Sequence, residues 1–159
     1  MTAPLAEEFR AGMAGVATPV SVVTTLTDGR PHGTTVSAFA SLSMDPPMVL
    51  VSLDRGSGLL ARLAVGGVFG VNVLGRDQAP LALAFARKSA KEFDGLGWEV
   101  DSGAPRLTGS PGWLACRVTQ LVGGGDHVIV LGEVQRAATA AGSPLTYHAR
   151  TFGTHAAVG

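Results

Sequence analysis

Charge is scarce in this sequence, and the charges present cancel. Only 15% of the 159 residues are charged, and 12 basic residues balance 12 acidic ones, so the formal net charge is zero. Proteins that hold a nucleic-acid backbone need a positive surface, so no nucleic-acid partner is expected. A surface so poor in charge also favours an oligomer, in which subunits cover each other's apolar parts.

Long apolar runs are missing as well. No segment reaches the roughly 18 to 20 consecutive apolar residues of a membrane helix. The start, MTAPLAEEFR, carries acidic residues, where a secretory signal would be basic and then apolar. We therefore expect a cytoplasmic protein with no membrane segment.

Candidates for metal or disulfide chemistry are few. The single cysteine, Cys116, excludes an intrachain disulfide and a CxxC zinc pair, and we expect it to be a small buried side chain. The four histidines are far apart and show no HxH or HExxH spacing, so no metal site is expected.

Glycine, by contrast, is abundant, with 22 residues. So many glycines indicate tight turns, or backbone that approaches a ligand closely. The apolar pattern predicts one domain over residues 1–159, ending in a flexible tail at 154–159. Helices are expected at 5–16, packed across one end of a sheet; at 58–65, with Ser57 as N-cap; and from Asp77 or Gln78 to Phe85.

Strands dominate the rest of the chain. They are predicted at 19–27, 32–39, 48–53, 68–74, 113–122 and 127–139. Residues 41–47 are expected to be a loop because of their two prolines, and 87–112 a loop with short strand pieces. Since the strands come in hairpins without βαβ alternation, the fold class is mainly β: an antiparallel barrel of six to seven strands with two to three short peripheral helices.

Hydroxyl side chains are concentrated between Gly33 and Ser43, where large side chains are almost absent. Small hydroxyl residues let the backbone approach a flat heteroaromatic ring or a phosphate. An ordinary Thr/Ser-rich strand and turn would give the same pattern. The segment alone leaves both interpretations open.

A family resemblance favours the first of them. The string TTVSAFASLSMDPPMVLVSL, followed by FGVNVL, QAPLALAFA, GDHVIVLGEV and PLTYHARTFG, resembles the flavin reductase family across nearly the whole chain. These proteins are the small components of two-component flavin monooxygenases and share an FMN-binding split β-barrel. FARKSAKEF and GDHVIVLGEVQ are similar to the actinobacterial branch that serves aromatic-polyketide antibiotic pathways.

The resemblance implies a set of flavin-binding residues. One group would line the isoalloxazine ring: Thr35, Val36, Ser37 and Ala38, flanked by Ser41 and Ser43. A second group would approach the ribityl chain and phosphate: Ser52, Leu53 and Ser57, with a cation from Arg55, Arg87 or Lys91. Many relatives carry a second hydroxyl soon after the first in this turn, whereas here Gly58 follows Ser57 directly.

His127 is the expected nicotinamide-binding residue, because the matching histidine of the family lies beside flavin and nicotinamide. From the residues alone, a hairpin histidine bonded to Asp126 is the alternative. His32 is expected to be solvated. The resemblance further implies FMN (or FAD), a monooxygenase partner and a homodimer, with no catalytic side chain acting as acid or base. NADH is expected in preference to NADPH, because no arginine cluster can be assigned to a 2′-phosphate.

The resemblance leaves two other functions open. One is a flavin-binding or flavin-storage protein without reductase activity, and the other is a split-barrel interaction protein without a cofactor. A yellow protein that NADH does not bleach would favour the first, and a colourless protein without flavin affinity the second.

Overall fold

The computed structural model describes residues 2–159. Within them are two α-helices and twelve strands, joined in places by short 3₁₀ turns. In chain order the elements are α1 (Ala3–Ala14), β1 (Thr18–Pro19), β2 (Ser21–Thr27), β3 (Arg30–Val36), β4 (Phe39–Met44), β5 (Pro47–Asp54), β6 (Val68–Val73), α2 (Ala79–Ala86), β7 (Trp98–Asp101), β8 (Ala104–Leu107), β9 (Gly112–Gly124), β10 (His127–Thr139), β11 (Leu145–His148) and β12 (Thr151–Thr154).

One large antiparallel sheet carries the fold. Its seven strands have the order β3-β2-β6-β9-β10-β5-β4, so β3 and β4 lie at opposite edges. Only Ser37 and Ala38 separate these edge strands along the chain, a connection that spans at most roughly 11 Å. The sheet must therefore curl until its two edges meet. The predicted antiparallel barrel with peripheral helices is confirmed.

The hairpin turns follow the sequence closely. Asp28 and Gly29 both have positive φ, 52° and 73°, as a type I′ turn requires. After the turn β3 begins at Arg30, two residues before the predicted start, because an edge strand tolerates a proline such as Pro31. The long β9–β10 hairpin turns at Gly125, whose φ is +61°.

The prediction of a loop at 41–47 is wrong. Residues up to Met44 form β4, and β5 already begins at Pro47, so the two strands make a hairpin. A proline can begin a strand because no ladder hydrogen bond is lost there. The short hydroxyl side chains of β4 belong to an edge strand with little burial.

The predicted helix at 58–65 is also wrong in extent, since only a 3₁₀ turn at Leu60–Arg62 forms. Ser57 is not its N-cap, a position that Leu59 occupies, although the Ser57 Oγ accepts a hydrogen bond from the Leu60 amide at 3.3 Å. The helix cannot continue because Gly66 and Gly67 pair with Val118 through two backbone hydrogen bonds of 2.8 Å.

The two α-helices differ in packing. In α2 the side chains of Ala82 and Phe85 are buried against the barrel. In α1 no residue is buried, and Leu5, Phe9 and Met13 are 50–60% exposed. The expectation that the N-terminal helix packs across a sheet end is therefore wrong within this chain, because its apolar side chains remain exposed.

Valine, leucine and phenylalanine side chains fill the barrel interior, together with Cys116. Burial raises the pKa of the Cys116 thiol to about 12, so it is a packing group, as predicted, and not a nucleophile. Of residues 87–112, expected to be loop with strand pieces, 98–107 form the β7–β8 hairpin.

Candidate active site

A cavity of about 990 Å³ opens beside the β3 edge of the barrel. Three segments form its walls: the start of β3, the turn that follows β5, and the chain that leaves α2. Its lining comprises Arg30, Pro31, His32, Gly33, Thr34, Asp54, Gly56, Ser57, Gly58, Leu59, Arg62, Phe85, Ala86, Arg87, Lys88, Ser89, Ala90, Glu92, Phe93 and Asp94.

Aromatic packing holds the third wall in place. The ring of Phe93 meets Phe85 edge to face with centroids 4.9 Å apart, and Trp98 meets Phe93 at 5.6 Å. Phe85 itself is buried against β3, where Gly33 leaves room for its ring. The glycine thus lets α2 lie close to the strand, and the segment after α2 folds back over the cavity.

Hydrogen bonds between residues close in sequence fix the second wall, which is the turn that follows β5. The Asp54 carboxylate accepts from the Gly56 amide at 2.7 Å, and the Ser57 amide donates to the Asp54 carbonyl at 2.9 Å. Nη1 of Arg62 donates to the Gly58 carbonyl at 2.6 Å. The turn therefore presents Ser57 and Arg62 from a rigid backbone.

The charge of the lining is mixed, with basic groups in excess. Four cations, Arg30, Arg62, Arg87 and Lys88, face three carboxylates, Asp54, Glu92 and Asp94. No pair of these groups approaches within 4.0 Å among residues 2–159. Cations without partners in a concave site are suited to bind a phosphate.

Two polar side chains of the lining, His32 and Glu92, are affected by burial and by their neighbours. The pKa of His32 is lowered below 6.5, first by burial and then by the nearby charge of Arg62. His32 is half-buried and lines the cavity, so it is not simply solvated as expected. Oε2 of Glu92 is buried and lacks a hydrogen-bond partner within residues 2–159.

Among the residues predicted for the flavin phosphate, the structure brings Ser57 and Arg87 into the cavity lining. Lys91 is not part of that lining, whereas Lys88 is. Arg55 points to the β9–β10 hairpin: its Nε donates to the Gly125 carbonyl at 2.8 Å. The phosphate role of each residue stays a prediction.

The predicted ring-binding segment lies at the joint between the two sheet edges. Val36 is buried, and the Thr35 hydroxyl donates to the Ala82 carbonyl at 2.6 Å, which ties β3 to α2. Ser37 and Ala38 are exposed. For their two amides no acceptor is found within residues 2–159, so both are free to donate to a ligand.

Further residues predicted to bind the flavin ring or its ribityl chain surround this joint. The Ser52 amide donates to the Ala38 carbonyl at 2.9 Å, which fixes β5 against the joint. Leu53 is buried in the core, so only its backbone could touch a ligand. Ser41 and Ser43 lie on β4 on either side of an irregularity in its pairing with β5. None of this segment belongs to the cavity lining.

His127 lies directly across from Asp54 in the β5–β10 ladder, and Asp54 lines the cavity. Its Nδ1 is 2.8 Å from an Asp126 oxygen, the contact expected of an ordinary hairpin histidine. That hydrogen bond lowers the pKa of the Asp126 carboxyl. The imidazole is 43% exposed and is not part of the cavity lining, and its nicotinamide role stays a prediction.

Sequence reasoning missed most of the lining, including the charged residues Arg30, Arg62 and Glu92. They come from segments far apart in the chain. The one local signal was a charged Arg62 within the apolar run GLLARLAV, to which the helix prediction gave no role. Within residues 2–159 no three His, Cys, Asp or Glu residues lie close enough to hold a metal ion.

Comparison with known proteins identifies the family. The family model described as "Flavin reductase like domain" matches residues 13–156. The chain belongs to this family. It is 40% identical to the reductase component of 4-nitrophenol 4-monooxygenase/4-nitrocatechol 2-monooxygenase of Rhodococcus opacus, over 92% of this chain and 79% of that one.

Two further relatives carry cofactor names. The FMN reductase (NADH) SmoA of Agrobacterium fabrum is 39% identical over 91% of this chain and 83% of its own. The NADH:FAD oxidoreductase of Streptomyces globisporus, solved in complex with NAD and FAD fragments, superposes with a TM-score of 0.90 at 32% identity, covering 98% of this chain and 96% of that one. The family expectation from the sequence is confirmed. No helix in the described part of this family member is long and apolar enough to cross a membrane.

Proposed function

We propose that this protein is an NADH-dependent flavin reductase that takes FMN, or FAD, as a diffusible substrate and supplies the reduced flavin to a monooxygenase. The observation that supports it most is the cavity beside β3. Ser57 offers a hydroxyl from the turn after β5, and Arg87 and Lys88 offer two cations from the segment after α2. Membership of the flavin reductase family gives this arrangement its chemical meaning.

The groups present fit a flavin. A phosphate would meet cations that have no carboxylate partner within 4.0 Å in the described chain. The free amides of Ser37 and Ala38 would donate to the oxygen and nitrogen edge of the ring. Because these amides belong to the short joint between the sheet edges, they are held in place before the ligand arrives.

The flavin and nicotinamide together supply hydride transfer between their rings, so the protein needs no acid or base of its own. Its residues bind and orient. His127, anchored by Asp126 and paired with Asp54 in the β5–β10 ladder, would meet the nicotinamide. The open rim would let the reduced flavin leave, as a supplier of a second enzyme requires.

A homodimer completes the proposal. The apolar stripe of α1 is exposed, and Leu42 and Met44 on β4 are 46% and 87% exposed. A second copy would cover such surfaces near the predicted ring-binding joint. Analytical ultracentrifugation should give twice the mass of 16.2 kDa; a monomer at micromolar concentration would contradict this part. We also keep the expectation of a cytoplasmic enzyme, where a nicotinamide pool can supply it.

The deciding experiment is steady-state NADH oxidation by the purified protein with FMN, FAD, riboflavin or no flavin. We expect flavin to accelerate oxidation, and cytochrome c added as a reporter should be reduced only when flavin is present. No acceleration by any of the three flavins would reject the reductase. If flavin binds but NADH does not bleach it without oxygen, the storage function is correct instead.

A further inference from the structure

A smaller lobe extends the cavity away from Ser57 and Arg87. It measures about 430 Å³ and is lined by Thr27, Asp28, Arg30, His32 and Arg62. Three of these residues, Arg30, His32 and Arg62, also line the main cavity. The two spaces therefore share a wall, and none of the residues predicted to bind flavin lines the lobe.

Three basic side chains, Arg30, His32 and Arg62, form the wall that the lobe and the cavity share. Arg62 is oriented by its hydrogen bond to the Gly58 carbonyl, and Arg30 stands at the first position of β3. Neither guanidinium has a carboxylate within 4.0 Å in the described chain. Asp28 is the one acid in the lobe lining. Guanidinium groups that converge without a partner match a phosphate better than any neutral ligand.

Glu92 adds a group of a different kind. Its buried Oε2 has no hydrogen-bond donor within residues 2–159, and its charge acts on His32. Vicinal ribose hydroxyls are the donors that such a carboxylate commonly binds in nucleotide sites. A 2′-phosphate in the same place would be repelled.

We propose that Arg30, His32, Arg62 and Glu92 form a nucleoside-diphosphate subsite, in which the arginines and the imidazole bind the diphosphate and Glu92 accepts from the ribose hydroxyls. The subsite rests on the proposed function, because it would hold the ADP portion of one of the two substrates. ADP is part of FAD and of NADH, so either one could supply it. FMN lacks this portion and would leave the lobe free.

ADP itself is the probe, measured by isothermal titration calorimetry on the purified full chain. Arg30→Gln and Arg62→Gln should each raise the ADP dissociation constant about tenfold or more. Arg117→Gln is the matched control. Arg117 also donates to a backbone carbonyl, that of Gly66 at 3.1 Å, but lies outside both linings. If Arg62→Gln impairs folding, the exposed Arg30 carries the test.

Glu92→Gln tests the ribose contact separately. Wild type should bind ADP more tightly than 2′-phospho-ADP. In the variant, the ratio of the 2′-phospho-ADP dissociation constant to that of ADP should fall at least about fivefold. A ratio of two dissociation constants removes any general effect of the charge change. An unchanged preference would overturn the role of Glu92.

Competition identifies which substrate supplies the ADP portion. If FAD supplies it, ADP should inhibit competitively against FAD, and Arg30→Gln should weaken FAD binding but leave FMN binding unchanged. If NADH supplies it, ADP should compete with NADH, and the variant should raise the KM for NADH with either flavin. Failure of wild type to bind ADP, or ADP binding by both arginine variants that is as tight as that of wild type, would overturn the subsite. Neither outcome depends on flavin reduction, so the reductase proposal stands or fails by its own assay.

Discussion

The barrel interior and the cavity share strands β3 and β5, yet their side chains meet opposite surroundings. Inside the barrel, Phe69, Val71 and Val130 are fully buried, and a Cβ at Gly132 would lie 2.5 Å from the Phe69 ring. In the cavity, by contrast, cations lack carboxylate partners and Glu92 retains an unused oxygen. The interior is filled by the chain itself, and the cavity holds groups that a ligand can satisfy. Substitutions in the barrel interior should change stability, and substitutions in the cavity should change ligand binding.

Phe85 belongs to both regions and should give the largest effect. It is 1% exposed and also contributes to the cavity lining. Phe85→Ala removes its contacts with Phe93 and leaves a void, so we expect the free energy of unfolding to fall by about 3–5 kcal/mol in urea denaturation.

Leu83→Ala is the control for that measurement. Leu83 lies in the same helix but is 52% exposed, so its loss should cost at most about 0.5 kcal/mol. Equal losses in the two variants would show that α2 is not anchored by its buried face.

Gly70 tests how tightly the interior is packed. An added Cβ would overlap the Trp113 ring and lie 2.7 Å from the Thr24 hydroxyl. Gly70→Ala should therefore lower the free energy of unfolding by about 1–3 kcal/mol. The same substitution at Gly12, where a Cβ meets nothing within 4 Å, should stabilise helix α1 by roughly 0.5–1 kcal/mol. Thermal unfolding of both variants checks the opposite signs.

The comparison also explains what the sequence could predict. Hairpins and strands follow from local chemistry, such as the positive φ at Asp28 and Gly29 or the alternating burial of β5. The helix at 58–65 was mispredicted because pairing of Gly66 and Gly67 with Val118, distant in sequence, ends it early. A tertiary contact of this kind leaves no periodic trace in the sequence.

The residues of the candidate site also differ in whether the sequence could predict them. Ser57 and Arg87 were reached through resemblance to a family, which carries information about tertiary structure that spacing lacks. Arg30, Arg62 and Glu92 meet only after β3, the turn following β5 and the segment following α2 come together. Their side chains, taken singly, look like ordinary surface charges.

Arg87→Gln should change binding without changing stability. Loss of one charged hydrogen bond to phosphate should raise the FMN dissociation constant about tenfold. Riboflavin, which has no phosphate, should bind as before, and the free energy of unfolding should stay within about 0.5 kcal/mol of wild type. Fluorescence titration with both flavins measures the difference, and equal weakening of both would place Arg87 away from the phosphate.

His127→Ala should give a smaller effect, confined to one substrate. The imidazole is partly exposed, so a few-fold rise in the KM for NADH is expected, with the KM for FMN nearly unchanged. Asp126→Asn is the companion variant, since it weakens the contact that orients the ring. A larger rise for FMN than for NADH would exclude the nicotinamide role.

The smallest expected effect is on folding stability at low pH, which the surroundings of His32 in the cavity should reduce. The folded state holds the pKa of His32 below 6.5, because burial and Arg62 oppose its protonation more than Glu92 favours it, with Arg30 acting in the same direction as Arg62. The unfolded chain therefore binds this proton more readily, so stability present above pH 6.5 is lost as the pH falls below it. His32→Gln cannot titrate, and wild type should lose stability relative to it only on the acid side, as urea unfolding at several pH values would measure. ADP at saturation should reduce that difference, because a bound diphosphate favours the protonated imidazole; a difference that ADP leaves unchanged would separate His32 from the ligand's charge.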